Sequence, residues 1–139
     1  MIFYDLKVKK QDFLSLDLAF FKAEKLAVIG NFPYNISSQI LFKMIDHRYC
    51  VTEMVGMFQK EVAERVVEQP GTKKYGIISV FVQAYFNVEY LFTVNENVFH
   101  PPPKVKSGVI RLQRNNVNEL PCNEKLFKQV VKTTFNQRR

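Results

Sequence analysis

The tetrapeptide Asn31-Phe32-Pro33-Tyr34 has the residue types in this chain that best fit a chemical task. The Asn31 side-chain oxygen can accept one hydrogen of an exocyclic amine, and the Phe32 carbonyl can accept the other. Pro33 favours an extended Phe32, which leaves that carbonyl free, and Tyr34 offers a ring face for a flat base. Accepting both hydrogens draws the amine nitrogen toward a tetrahedral, nucleophilic form without a strong base. The four residues alone also fit an ordinary turn with two core aromatic side chains.

The elements that must position this tetrapeptide follow from the spacing of apolar residues. Strands are predicted at 6–10, 26–29, 54–58, 87–94 and 106–113, and helices at 36–45, 60–68 and 127–135. Residues 76–86 fit either a strand or a helix, and we assign a helix. Ser37 and Ser38 are available to cap the first helix. The alternation predicts an α/β fold with a parallel sheet and crossover helices, in which ligands bind beyond the carboxyl ends of the strands.

Charge is distributed unevenly along the chain. Its 139 residues include 20 Lys and Arg against 13 Asp and Glu, a net charge of +7 with neutral histidines. Residues 1–99 contain eleven basic and eleven acidic residues, whereas residues 100–139 contain nine and two, so the whole excess lies in the last forty positions. Clustered cations favour a polyphosphate partner, because such a partner releases counterions where cations cluster.

Several classes of site are excluded by composition. The five glycines, at 30, 56, 71, 76 and 108, form no G-x-G turn that could cradle a pyrophosphate. Cys50 and Cys122 are too few for a disulfide scaffold or a zinc site. Neither a signal peptide nor an apolar run of about 20 residues is present, so we expect a cytoplasmic monomer that does not enter a membrane.

A longer string around the tetrapeptide, GNFPYNISSQILFKMI, resembles motif IV of the amino-methyltransferases. Its form is that of the ribosomal RNA adenine dimethyltransferases, the KsgA-like family. Further blocks similar to this family follow in order: FQKEVAERV (58–66), KYGIISVFVQAYFNVEYLFTV (74–94), VFHPPPKVKSGVIRL (98–112) and FNQRR (135–139). The resemblance begins near Lys7 and covers nearly the whole chain. Antibiotic-resistance methyltransferases of large-subunit rRNA share Asn-x-Pro-Tyr, but PPPKVKS and FNQRR are more similar to the KsgA side.

This resemblance implies a fold and an activity. The fold would be part of a Rossmann-like S-adenosylmethionine-dependent methyltransferase, residues 1–116, followed by the start of a small α-helical C-terminal domain, residues 117–139. The family transfers methyl groups from S-adenosylmethionine to two adjacent adenosines near the 3′ end of small-subunit rRNA. The implied partner is the small ribosomal subunit, and the chemistry requires no metal.

Roles for individual residues come from the same resemblance. Asn31 and the Phe32 carbonyl would hold the target amine, Tyr34 would stack on the adenine, and Phe99 would cover its other face. Asp12 and the Phe13 backbone, together with Asn31, would contact the methyl donor. Phosphate contacts would come from Lys104, Lys106, Arg111, Arg114, Arg138 and Arg139. Without the resemblance, Phe99 fits a core aromatic residue, Asp12 a turn aspartate, and each cation a solvated surface charge.

The family's Gly-rich loop and the acidic residue after its second strand are not found in this sequence. We therefore expect an internal piece of a longer enzyme that contains the target-base half of the site. Two other functions remain open at this point. One is a non-catalytic RNA-binding or ribosome-assembly module, and the other is a large-subunit rRNA methyltransferase.

Overall fold

A computed structural model describes residues 9–22 and 24–138. Its sheet contains four strands: β1 (Leu26–Asn31), β2 (Val51–Gln59), β3 (Phe86–Val94) and β4 (Ser107–Arg114). Its helices are α1 (Ser37–Asp46), α2 (Lys60–Val67), α3 (Ile77–Gln83) and α4 (Glu124–Asn136). Short 3₁₀ turns lie at Leu18–Phe21, Tyr34–Ile36 and Glu96–Val98. The helix assignment for 76–86 is therefore confirmed over its central part, whereas the predicted strand at 6–10 falls mostly outside the described residues.

The strand order is β1-β2-β4-β3. β1 and β2 are parallel, so the predicted parallel pairing is confirmed for them, but β4 is antiparallel to both of its neighbours and the sheet as a whole is mixed. The reason lies in the connection between β3 and β4, which is a proline-rich loop with one 3₁₀ turn. A parallel return requires a crossover, usually an α-helix, and the 12 residues between β3 and β4 (95–106) contain no α-helix.

The directions of the four strands bring one end of each strand to the same edge of the sheet. Asn31 pairs with Met57, Gln59 pairs with Ser107, and Val94 also pairs with Ser107. The carboxyl ends of β1, β2 and β3 therefore meet the first residue of β4. The tetrapeptide that follows β1 leaves the sheet at this shared end.

Helices α1, α2 and α3 cover one face of the sheet. The core between them consists mainly of aliphatic and aromatic side chains, and its fully buried members include Ile40, Met44, Met54, Phe58, Val66, Ile110 and Leu112. Helix α4 packs on α3, where Phe127 meets Phe81 with ring centroids 5.9 Å apart. Helices α1, α2 and α3 therefore pack on the sheet, and α4 packs on α3.

The start of α1 differs from the sequence prediction. The residue before the helix is Ile36, and no side chain caps the helix there. Ser37 already has helical backbone angles, because the 3₁₀ turn at Tyr34–Ile36 leads directly into the helix. Its hydroxyl instead donates to the Tyr34 carbonyl at 2.9 Å. The serine therefore fixes the tetrapeptide to the helix instead of capping the helix.

Candidate active site

A cavity of about 380 Å³ lies at the carboxyl end of β1. Its lining consists of the tetrapeptide and the proline-rich loop: Asn31, Phe32, Pro33, Tyr34, Phe99, Pro101 and Pro103. The structure thus brings the five residues that the sequence placed around a target base to one cavity, although Phe99 lies 65 residues or more from the other four.

The Phe32 ring belongs to the core. Only 8% of Phe32 is exposed, and its ring stacks on Phe58 with centroids 5.5 Å apart and planes 24° apart. Gly30 and Gly56 are register partners on β1 and β2, and a Cβ on either would lie within 2.9 Å of this ring. The two glycines make the flat surface on which the ring rests, and the buried ring holds the backbone of the tetrapeptide in place.

Backbone geometry leaves acceptor groups at the cavity. The Phe32 N–H donates to the Met57 carbonyl at 3.4 Å and so continues the ladder of β1 by one residue. Pro33, with φ −58° and ψ 135°, then turns the chain out of the sheet. Among the described residues, no donor reaches the Phe32 carbonyl, and the Asn31 side chain is exposed. Two residues that line the cavity therefore have an oxygen acceptor available for an amine.

Tyr34 is fixed at both of its ends. Its carbonyl accepts from Ser37, and its hydroxyl makes a hydrogen bond with the Ser107 hydroxyl. Ser107 is fully buried and is the first residue of β4. The sequence did not single out Ser107, although a half-buried tyrosine hydroxyl requires a partner and a small polar residue directly after a proline-rich loop is a candidate.

The proline-rich loop is anchored on each side of the cavity. Before Phe99, the Asn95 side chain accepts a hydrogen bond from the Asn97 N–H at 2.9 Å and caps the start of the 3₁₀ turn. The Phe99 N–H donates to the Glu96 carbonyl at 3.3 Å at the end of this turn. At the other end of the loop, the Lys60 N–H donates to the Lys106 carbonyl at 2.9 Å. The half-buried Phe99 is therefore held opposite the tetrapeptide.

The segment with Asp12 and Phe13 lies beside the cavity and does not line it. One Asp12 carboxylate oxygen accepts a hydrogen bond from the Leu14 N–H at 2.9 Å, as expected of an aspartate in a turn. The Phe13 ring packs against the Phe32 ring with centroids 5.5 Å apart. The Lys43 ammonium donates to the Leu14 carbonyl at 3.1 Å and ties this segment to α1. Asp12 is exposed, and the outer part of its carboxylate faces solvent next to the end of β1.

The cations proposed for phosphate contacts are spread over the molecule. Arg111 pairs with Glu53 on β2, and Arg138 donates to the carbonyls of Thr72 and Tyr75. Lys104 and Lys106 are exposed on the loop beside the cavity, and Arg139 lies outside the described residues.

Arg114 lies away from this loop. It donates to the carbonyls of Arg48 and Val117, and burial followed by the charge of Arg48 lowers the pKa of its guanidinium. Of the cations proposed for phosphate contacts and described in the structure, Lys104 and Lys106 belong to the loop that lines the cavity.

Within residues 9–22 and 24–138, no group of three or more His, Cys, Asp or Glu side chains is arranged to hold a metal ion. In the same ranges, no helix is long and apolar enough to cross a membrane.

The sheet and the cavity at its carboxyl end define a Rossmann-like methyltransferase fold. A crystal structure of a dimethyladenosine transferase from Plasmodium falciparum superposes with a TM-score of 0.82 and 30% identity, over 96% of this chain and 46% of that one. The 23S rRNA methyltransferase ErmE superposes with a TM-score of 0.70 and 24% identity, over 91% of this chain and 50% of that one. The predicted fold class is thus confirmed.

The family model for ribosomal RNA adenine dimethylases matches residues 4–139, and the chain belongs to this family. A ribosomal RNA small subunit methyltransferase A from Cytophaga hutchinsonii is 63% identical over 128 residues, which are 92% of this chain and 50% of that protein. The protein of the same name from Parabacteroides distasonis is 58% identical over 139 residues, or 99% of this chain and 52% of that protein. The chain spans about half the length of these curated relatives.

Proposed function

We propose that this chain contains the target-adenine half of an enzyme that methylates exocyclic adenine amines in small-subunit rRNA. The observation that carries the proposal is the cavity shared by Asn31, Phe32, Tyr34 and Phe99. The names of relatives about 60% identical support the small subunit as the substrate. The likeness to ErmE, at 24% identity, supports the fold alone.

In this proposal, the cavity holds a base that has been turned out of its stack. The rings of Tyr34 and Phe99 sandwich the base, and stacking of this kind contributes about 1–3 kcal/mol per base. The Asn31 oxygen and the Phe32 carbonyl accept the two amine hydrogens and direct the nitrogen lone pair out of the ring plane. The nitrogen would then attack the methyl carbon of a sulfonium donor, so that the N–C bond forms as the C–S bond breaks, a neutral thioether leaves and the amine proton passes to solvent.

S-adenosylmethionine supplies that methyl group on a sulfonium, which is a good leaving group without a metal. Asp12, the Phe13 backbone and Asn31 would hold it. The exposed Asp12 carboxylate beside the end of β1 suits the acceptance of a hydrogen bond from an adenine amine, and its turn bond to Leu14 fixes its orientation. Calorimetry with S-adenosylmethionine measures how much of the donor affinity this half of the site provides.

The remaining parts of the proposal concern organisation and partners. We assign residues 1–116 to the methyltransferase domain and residues 117–139 to the start of a helical domain. Lys104 and Lys106, which are exposed on the proline-rich loop, would meet the RNA backbone next to the target base. The substrate would be the small ribosomal subunit, in the cytoplasm.

The proposal is tested by Asn31→Ala in the whole protein, assayed for methyl transfer to purified small and large ribosomal subunits. We expect transfer to the small subunit alone, and a loss of 100-fold or more in kcat for the variant, on the order of removing one transition-state acceptor. Asn87→Ala is the matched control, because Asn87 is an exposed asparagine on β3 away from the cavity. Undiminished methylation by Asn31→Ala contradicts the amine clamp. Binding without any transfer by the wild type favours a non-catalytic RNA-binding module.

A further inference from the structure

A second cavity, of about 330 Å³, lies on the other side of the proline-rich loop. Its lining consists of Gln59, Lys60 and Glu61 at the junction of β2 and α2, Glu96 in the 3₁₀ turn, and Lys104, Val105 and Lys106 in the loop. The Glu61 carboxylate is paired with Arg65 at 2.9 Å. Phe99, Pro101 and Pro103 of the β3–β4 connection line the target-base cavity, whereas Glu96 before them and residues 104–106 after them line this one.

The separation of the two cavities is fixed by the sheet. Asn31 pairs with Met57, and Gln59 lies two residues further along β2. The offset is therefore about 7 Å along the strands and about 5 Å across them. The hydrogen bond from the Lys60 N–H to the Lys106 carbonyl holds the loop against α2 between the cavities. This spacing is within the reach of a single nucleotide in an RNA strand.

The polar groups of the second cavity match the parts of a nucleotide. Lys104 and Lys106 are exposed ammonium groups that suit a phosphate, whereas the Lys60 ammonium is shared with Glu64 at 3.7 Å. The Gln59 amide offers both a donor and an acceptor to a base edge or a ribose hydroxyl.

Glu96 gives a second reason to expect a ligand with donor groups. One of its carboxylate oxygens is buried and has no hydrogen-bond partner among the residues that the structure describes. Buried polar atoms are nearly always paired, because an unpaired one retains its full desolvation penalty. A base amine or ribose hydroxyl that enters the cavity would provide the missing donor after a small rotation of this side chain.

We propose that this second cavity binds the nucleotide that flanks the target base in the RNA strand. Its phosphate lies against Lys104 and Lys106, and its base and ribose lie against Gln59 and Glu96. The inference rests on the proposed function, because it takes the first cavity as the site of the target base. It gives the proline-rich loop a second role as the divider between two successive nucleotides.

The test is a binding cycle between protein and RNA, read by fluorescence anisotropy. The probes are a labelled six-nucleotide RNA with one adenosine among uridines and two analogues, in which a propyl spacer replaces the nucleoside on the 5′ or the 3′ side of the adenosine. Gln59→Leu removes the amide at similar side-chain length and unchanged charge. Gln113→Leu is the matched control, because Gln113 is an exposed glutamine near the far end of β4.

We expect Gln59→Leu to weaken binding of the unmodified RNA by about 3- to 10-fold, as the loss of one or two hydrogen bonds predicts. One of the two spacer analogues should bind the wild type more weakly than the unmodified RNA by a similar factor. The same analogue should bind Gln59→Leu no more weakly than it binds the wild type. Gln113→Leu should bind all three RNAs like the wild type. Additive losses for both spacers, or an unchanged affinity of Gln59→Leu, would overturn the inference.

Methyl transfer by Asn31→Ala in the whole protein separates the two proposals. If Asn31→Ala loses methyl transfer and Gln59→Leu binds RNA like the wild type, the flanking site fails and the target clamp stands. If Gln59→Leu shows the non-additive loss with a spacer while Asn31→Ala transfers methyl groups undiminished, the second cavity is a nucleotide site and the assignment of the first one fails.

Discussion

The hydroxyl of Tyr34 provides the sharpest test at the level of single residues. It bonds to Ser107, which is fully buried at the start of β4, so the ring that would stack on the base is held from its far end. Ser107→Ala removes this restraint and leaves the ring itself unchanged. We expect a loss of about 5- to 20-fold in kcat/KM for methyl transfer, because a misplaced Tyr34 ring no longer orients the base well. The stability of the fold should change less.

Tyr34→Phe is the partner variant for this prediction. If the two hydroxyls act through each other, the double variant loses little more activity than either single one. Ser107→Thr retains a hydroxyl and should recover part of the activity. Independent, additive losses in the double variant would show that Ser107 supports the fold and does not position Tyr34.

The roles of single residues differ in how far the sequence reveals them. Asn31 and Tyr34 became site candidates because their residue types fit an amine clamp and because the longer string around them resembles a family motif. Ser107 was not, because its partner lies 73 positions away and only the pairing of β4 with β2 and β3 brings them together. The pairing of Arg111 with Glu53 likewise depends on strand register, which charge counts along the chain do not contain.

At the level of elements, strand direction is the feature that the apolar pattern could not provide. Alternating apolar residues predicted the strands at 87–94 and 106–113 within a residue or so of β3 and β4. The same apolar pattern is found in strands with a parallel or an antiparallel neighbour. The direction of a strand therefore depends on the segment that connects it to the preceding strand. Because β4 returns antiparallel, its first residue, and not its last, meets the carboxyl end of β1. That reversal is what delivers Phe99 and the prolines to the cavity.

Helix α4 is attached to the remainder of the structure by a charged contact as well as by aromatic packing. Arg48, 6% exposed, lies at the end of α1 and donates to Glu124 at 3.2 Å. Burial raises the pKa of the Glu124 carboxyl, but Lys128 and Arg48 outweigh it and hold this pKa below its usual range. The folded state therefore binds the proton less readily than the unfolded chain does.

Glu124→Gln should lower the free energy of unfolding at pH 7 by about 1 kcal/mol, since Glu124 is partly exposed and Arg48 keeps other partners. Because the pKa of Glu124 is lower in the folded protein, its ionised carboxyl stabilises the folded state at pH values above the unfolded pKa of about 4.3. This stabilisation is lost as the pH falls through the pKa of the folded state. Urea unfolding at a series of pH values measures this loss, and Glu119→Gln, which replaces an exposed glutamate, is the control. A difference between wild type and Glu124→Gln that stays constant from pH 7 to pH 3 would contradict this assignment.

For the whole molecule, the net charge of +7 is less concentrated in space than along the chain. Arg111, Arg114 and Arg138 each hold parts of the protein together through an ion pair or backbone carbonyls. The lysines of the proline-rich loop remain exposed next to both cavities. The surface proposed to face RNA is therefore the end of the sheet, and the basic half of the sequence does not act as a uniform patch.

This distribution leads to a prediction about salt. For a single strand, the logarithm of affinity falls with the logarithm of salt concentration with a slope of about −0.7 per neutralised phosphate. If Lys104 and Lys106 each meet one phosphate, the double variant Lys104→Gln/Lys106→Gln reduces the magnitude of this slope by about 1.4 and weakens binding most at low salt. Titrations of the six-nucleotide RNA between 50 and 200 mM salt measure this slope.

The control is the double variant Lys25→Gln/Lys73→Gln, which replaces two exposed lysines that line neither cavity. It changes the net charge equally and should leave the slope nearly unchanged. Equal changes in the two double variants would mean that RNA responds to net charge alone, and the loop would lose its role as the backbone contact.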